Sequence, residues 1–184
     1  MRVIGGTLRG KTLSPLKGLK IRPTTDYLRE SIFNILAGVA EGAVVLDLFA
    51  GTGSLGIEAL SRGAATAVFV DNGSQAIKVL TRNIRACRLE GRSTILKRDI
   101  RRGLSFLKAI GHTFDLVFID PPYSKGFAER SAHLLDRAEA TSDGASIVIE
   151  HSRHEVLPER LGRFIRSDQR HYGKTLVSFY RPVL

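Results

Sequence analysis

Short apolar runs alternate along this chain with stretches whose apolar residues recur at helical spacing. Leu28, Ile32, Ile35 and Leu36 share one face, which predicts an amphipathic helix over residues 25–37 with Asp26 in its first turn. Beyond Gly42 the pattern becomes regular. Residues 43–49, 67–70, 94–97, 115–119 and 145–149 read as buried strands, and 54–61, 74–88, 101–109 and 127–139 as the helices between them. Strand and helix in strict alternation predict an α/β fold with a mostly parallel, doubly wound sheet. The end departs from this rule. Residues 163–169 and 175–181 are strand patterns joined through Tyr172-Gly173-Lys174, so an antiparallel hairpin is expected to close one sheet edge.

Residues 1–22 read instead as a basic, glycine-punctuated hairpin. The organisation expected is an appendage over 1–38 followed by one structural unit over 39–184. A length of 184 residues can bury a substantial core. The charge changes the picture more: 28 Lys+Arg against 18 Asp+Glu leave a net +10, which points to a polyanionic partner, nucleic acid before membrane. The single cysteine, Cys87, rules out an internal disulfide and reads as core filler. No apolar run approaches the ~20 residues of a membrane span. The apolar stretch after Met1 is too short for a signal peptide, so the cytoplasm is the expected location.

Two motifs carry chemistry. The first runs from strand into helix: Leu46-Asp47-Leu48-Phe49-Ala50-Gly51-Thr52-Gly53-Ser54-Leu55-Gly56. Gly51, Gly53 and Gly56 satisfy the dinucleotide spacing, with Asp71 at the end of the next strand positioned to hold ribose hydroxyls. Asp47 ahead of the glycines favours S-adenosylmethionine over a nicotinamide dinucleotide. Its carboxylate suits an amino group, whereas a pyrophosphate wants positive dipoles and no extra anion. Asp99 after the third strand is placed either to accept from an adenine amino group or to cap the following helix; spacing leaves the two readings level. Together with the antiparallel closing pair, these features match the methyltransferase variant of the doubly wound fold.

The second motif is Asp120-Pro121-Pro122-Tyr123, after the apolar run 116–119. The prolines stiffen the backbone and remove donors. What remains is a carboxylate, carbonyl oxygens and an aromatic ring, a set that suits a flat base with an exocyclic amine. Both motifs follow central strands of a doubly wound sheet, so they are expected to share one crevice, cofactor over the first strand and acceptor amine over the fourth. A nucleobase amine is a poor nucleophile because its lone pair is delocalised. Hydrogen bonds to Asp120 and the Pro121 carbonyl would favour a pyramidal nitrogen, and positioning for in-line attack supplies the rest.

At these residues the chain resembles the bacterial 16S ribosomal RNA guanine-N2 methyltransferases of the small, single-domain type. The resemblance rests on Arg2-Val3-Ile4-Gly5-Gly6, Arg9-Gly10-Lys11, Arg22-Pro23-Thr24-Thr25-Asp26 with Arg29-Glu30, the glycine turn, and Val117-Phe118-Ile119-Asp120-Pro121-Pro122-Tyr123. It implies a class I S-adenosylmethionine-dependent fold and methyl transfer to a guanine N2 in small-subunit rRNA. It further implies a substrate presented within a partly assembled ribosomal subunit. Carried over by position, Asp47, Ala50, Gly51, Gly53, Asp71 and Asp99 line the cofactor, Asp120, Pro121, Pro122 and Tyr123 the target base, and Arg22, Thr24, Thr25 and Arg29 the mouth of the site, where they are expected to bind RNA. A monomer is expected.

The basic residues form two groups. Arg9 and Lys11 belong to an N-terminal group beside Arg22-Pro23 and are expected to contact RNA phosphates, positioning the RNA without reading its sequence. Arg82, Arg85 and Arg88 recur every three residues and are expected on one solvated helical face. The five histidines show no metal-ligand spacing. Three rival functions remain: a DNA adenine-N6 methyltransferase, which usually needs an added recognition region; an NAD-binding oxidoreductase, which leaves Asp-Pro-Pro-Tyr unexplained; and a non-catalytic RNA-binding module, which needs neither Asp47 nor Asp120.

Overall fold

Val45, Leu46, Phe69, Val70, Leu116, Val117, Phe118 and Ile119 are all buried, as central strands covered on both faces require. In the computed structural model, which describes residues 1–16, 26–123 and 126–183, these strands form one eight-stranded sheet. The strands are β1 (Val44–Leu48), β2 (Thr66–Asp71), β3 (Ser93–Lys97), β4 (Phe114–Ile119), β5 (Thr141–Ser152), β6 (Arg160–Leu161), β7 (Phe164–Tyr172) and β8 (Thr175–Pro182). Their order is β3-β2-β1-β4-β5-β8-β7-β6. The first five pair in parallel and the last three antiparallel. Strand order reverses between β1 and β4, which opens the ligand crevice of a doubly wound sheet there.

Helices α1 (Asp26–Ile35), α2 (Ser54–Ser61) and α3 (Ser74–Ala86) cover one face, and α4 (Phe127–Ala138) with the segment around Leu104 and Leu107 covers the other. Side chains alternate across a strand, so register decides which residues face α1–α3. Val45, Phe69, Phe118, Val148 and Val177 pack on that side. Two residues further along each chain or back from Val177, the same alternation places Asp47, Asp71, Asp120, Glu150 and Thr175 there. Four acids from four neighbouring strands thus project towards one end of one face. No helix among the described residues is long and apolar enough to cross a membrane.

The structure corrects several expectations. Residues 101–109 form no α-helix but two short 3-10 stretches, Ile100–Arg102 and Ser105–Ile110, because Gly103 takes φ +116° between them. The N-terminal hairpin, within its described part, is a single Arg2–Thr12 bridge flanked by Val3–Lys11 and Leu13–Met1 backbone bonds, with a 3-10 turn at Gly6–Leu8. β5 is much longer than its apolar stretch, β6 was invisible in the pattern, and β8 inserts between β5 and β7. Arg88 leaves the helix with φ +56°, so only Arg82 and Arg85 share its exposed face. Arg22, Thr24 and Thr25 lie outside the described residues.

Candidate active site

The turn after β1 is built by carboxylates holding backbone amides. Asp47, almost wholly buried, accepts from Gly56 N–H at 3.0 Å, a donor in the first turn of α2. Asp71 accepts from Gly51 N–H at 2.9 Å and from Gly73 N–H at 2.7 Å, tying the turn after β1 to the turn after β2. Gly53 N–H closes on the Ala50 carbonyl at 2.7 Å. Only glycine suits position 53: its φ is +80°, and a Cβ there would collide with Leu80. Phe49 also takes a left-handed φ of +61°, a strained conformation for an aromatic residue, at the bend that lifts the turn off the strand.

Burial, with a further push from Asp71, raises the Asp47 carboxyl to about 7, despite the Gly56 hydrogen bond acting in the opposite direction. A buried acid beside a second acid is a place that gains from a cation. The anion position at the α2 N-terminus is filled by the chain's own Asp47, and the amides of Gly51 and Gly53 are engaged internally. A pyrophosphate would meet two carboxylates and an unfavourable potential here. A ligand bearing an ammonium and a sulfonium fits both acids, and that is the charge pattern of S-adenosylmethionine.

Asp120 stands just past β4, its N–H directed to the Leu48 carbonyl at 3.4 Å, which sets the two motifs side by side as expected. Pro121 is buried and Pro122 exposed. The Tyr123 hydroxyl donates to Glu150 Oε1 at 2.6 Å and meets Thr175 Oγ1 at 2.8 Å. Burial and the negative charge of Glu150 drive the Tyr123 phenol well above its usual range, so it stays a donor.

Asp99 caps the 3-10 stretch that follows it: Oδ1 accepts from Arg101 N–H at 3.0 Å, and both oxygens receive the Arg101 guanidinium, at 2.8 and 2.7 Å. This is the capping reading. The Arg101 guanidinium holds the Asp99 carboxyl down, at about 2. Arg29 corrects its expectation outright. Its side chain is fully buried, donating to the Arg2 carbonyl at 2.5 Å and to Asp26 Oδ1 at 2.9 Å, so it clamps the N-terminal segment onto α1 and presents nothing to RNA. Arg9 and Lys11 are exposed.

A family model described as Conserved hypothetical protein 95 matches residues 1–181. The chain belongs to this family. Among its relatives is "Ribosomal RNA small subunit methyltransferase D" of Escherichia coli (strain K12), 37% identical over 158 residues, which are 86% of this chain and 78% of that one. The solved structure of yhhF from Escherichia coli superposes with a TM-score of 0.86 at 34% identity and covers 99% of this chain and 97% of that one. SMU.776, solved in complex with SAH, shares the fold alone: TM-score 0.66, 18% identity, 85% of this chain and 48% of that one.

In this member of the Conserved hypothetical protein 95 family, four residues that shape the site escaped sequence reasoning. Glu150 and Thr175 anchor Tyr123. Asn83 of α3 binds both Ser14 and the Thr52 carbonyl, pinning the glycine turn to the N-terminal segment. Glu58 of α2 accepts Ile4 and Gly5 N–H, each at 2.8 Å, and pairs with Arg62 at 2.8 Å. A buried polar residue inside an apolar helix or strand pattern was the available signal for each, but it does not say which partner is met.

Proposed function

We propose that this chain is an S-adenosylmethionine-dependent methyltransferase that modifies the N2 amine of one guanine in small-subunit ribosomal RNA. The observation that carries the cofactor reading is the pair Asp47 and Asp71, which occupy the turn's own amide donors and leave a site suited to positive charge. The RNA reading draws on the +10 net charge and on the relative named for ribosomal RNA methylation. Its natural substrate is a partly assembled small subunit, and the protein acts as a cytoplasmic monomer.

S-adenosylmethionine supplies an activated methyl group on a sulfonium; the chain does the rest. Asp47 pairs with the amino group, Asp71 with ribose hydroxyls, and Ala50, Gly51 and Gly53 allow close backbone approach. Asp120 accepts N–H from the guanine amine, which holds the nitrogen pyramidal and aims its lone pair along the transfer line. Asp120 orients first and receives the departing proton second. The Tyr123 ring stacks on the base, its orientation fixed by Glu150 and Thr175. Labelled S-adenosylmethionine offered with hypomethylated small subunits, naked rRNA and duplex DNA, followed by nucleoside analysis, tests this. N2-methylguanosine from subunits supports it; N6-methyladenine in DNA, or no transfer at all, defeats it.

A further inference from the structure

The crevice has a neighbour that the methyl-transfer reading does not use. Tyr27, on the first turn of α1, is 70% exposed, the most open aromatic among the described residues. Its ring meets that of Tyr172 edge to face, with centroids 6.1 Å apart and planes at 74°. Such a contact covers at most one face of one ring. Tyr172 ends β7 and pairs across the turn with Thr175, the residue whose hydroxyl meets Tyr123. The aromatic pair therefore stands one cross-strand step from the tyrosine of Asp-Pro-Pro-Tyr.

Cations stand to one side of it. Lys174 follows in the β7–β8 turn, and its carbonyl receives Arg153 N–H at 3.1 Å, which sets the backbones of two exposed basic residues side by side at that turn. Arg170 shares the face of Tyr172, and Arg2 pairs with Asp26, the residue before Tyr27. Arg2 and Arg170 are paired with Asp26 and Asp168, and the acid Glu30 is exposed three residues after Tyr27 on α1, so the unpaired positive charge lies on the turn side, at Lys174 and Arg153. An open aromatic with basic residues on one side is the chemistry that takes an unstacked nucleotide, base on the ring and phosphate on the cations.

We infer that Tyr27 and Tyr172, with Lys174 and Arg153, form a landing platform for a single-stranded nucleotide flanking the target guanine. This deepens the proposed function and rests on its reading of the substrate as RNA. A base that reacts must leave its stack, and its neighbour then exposes a face that needs covering. Tyr27 covers that face while the turn basic pair holds the backbone, steering the extruded guanine towards Tyr123.

The test uses the full chain and a fluorescein-labelled, unstructured RNA oligonucleotide containing guanine, with methyl transfer to small subunits measured in parallel. Tyr27→Ala should weaken RNA binding roughly tenfold or more, and Tyr27→Phe should bind within about twofold of wild type, since stacking needs the ring alone. Joint replacement of Arg153 and Lys174 by alanine should reduce the salt dependence by about one to two counterions. S-adenosylmethionine affinity and the melting temperature should not move in any of the three variants. Unchanged binding by Tyr27→Ala overturns the platform, as does a Tyr27→Phe loss equal to that of alanine. Loss of subunit binding with oligonucleotide binding intact overturns it too, marking a protein-contact surface. If the wild type binds RNA without transferring methyl groups, the enzymatic reading falls while the Tyr27 result still decides the platform. A wild type that binds no RNA defeats both.

Discussion

Tyr123 and Glu150 are joined by a 2.6 Å hydrogen bond that links the loop after β4 to the far half of β5. Thr175 on β8 completes the anchor. The aromatic expected to stack on the target base is thus aimed by the antiparallel part of the sheet, the part that distinguishes this fold from a plain dinucleotide-binding sheet. Removing the hydroxyl tests how much that aim matters. A hydrogen bond to a charged group contributes about 1.5–3 kcal/mol, so Tyr123→Phe should lower kcat by roughly one to two orders of magnitude. Cofactor affinity should stay level. Glu150→Gln, which keeps an acceptor, should fall between wild type and Tyr123→Phe. The pH–rate profile should show no limb from tyrosine ionisation, because the phenol is held well above its ordinary range.

Asp120→Ala should abolish transfer and leave S-adenosylmethionine binding within about twofold, since no cofactor contact is assigned to it. Isothermal titration and a single-turnover assay on the same preparation separate the two effects. Full turnover by this variant would refute the assigned chemistry.

With Asp47 as the partner of the cofactor's amino group, as proposed, cofactor binding should depend on pH. The folded-state Asp47 value of about 7 lies above the ordinary carboxylate value of 3.8, so the ligand-free protein holds a proton there that the unfolded chain releases earlier. Stability of the ligand-free protein should therefore fall as pH rises from about 4 to 7, by up to about 4 kcal/mol, and level off beyond. An ammonium-bearing ligand needs the ionised carboxylate. Affinity for S-adenosylmethionine should tighten from pH 6 to 8 with release of up to one proton, measurable by titration calorimetry in buffers of different ionisation enthalpy. Asp47→Asn should bind weakly and lose the pH dependence.

Glu58 is buried and receives two backbone amides and Arg62. Glu58→Gln cannot satisfy all three donors and should cost about 2–4 kcal/mol in denaturant unfolding. Limited proteolysis should then cut near residues 4–11, with the parallel sheet intact.

Arg9 and Lys11 are exposed and free of the core. Replacing both by alanine should weaken RNA binding and lower its salt slope by about two, without touching cofactor affinity. An unchanged slope would move the phosphate contacts elsewhere.

Much of this arrangement was legible in the sequence because it rests on periodicity and on short motifs. The parallel strands, α2 from Ser54 to Ser61, and the side-by-side placement of β1 and β4, which carry the two motifs, all follow from local pattern and the geometry of a doubly wound sheet. The misses share a cause: they depend on contacts between residues far apart in the chain. Arg29 belonged to a basic run yet turned inward, because it lies on the α1 face that packs beside Leu28, Ile32 and Phe33. Residues 101–109 carried helical spacing, but a glycine in a left-handed conformation broke the run. Glu150 carried no sequence signal of its partner; the register of β5 and β8 sets it beside Thr175's strand and within reach of Tyr123.

Asp71 carries a consequence for how such a site can change over time. One carboxylate holds the amides of Gly51 and Gly73, so the loops after β1 and β2 behave as a single mechanical part. Lengthening either loop alone drags the acid away from the other. Loop exchange with a relative should succeed only when both loops travel together with their shared aspartate, and natural variation in the two is bound to proceed in step.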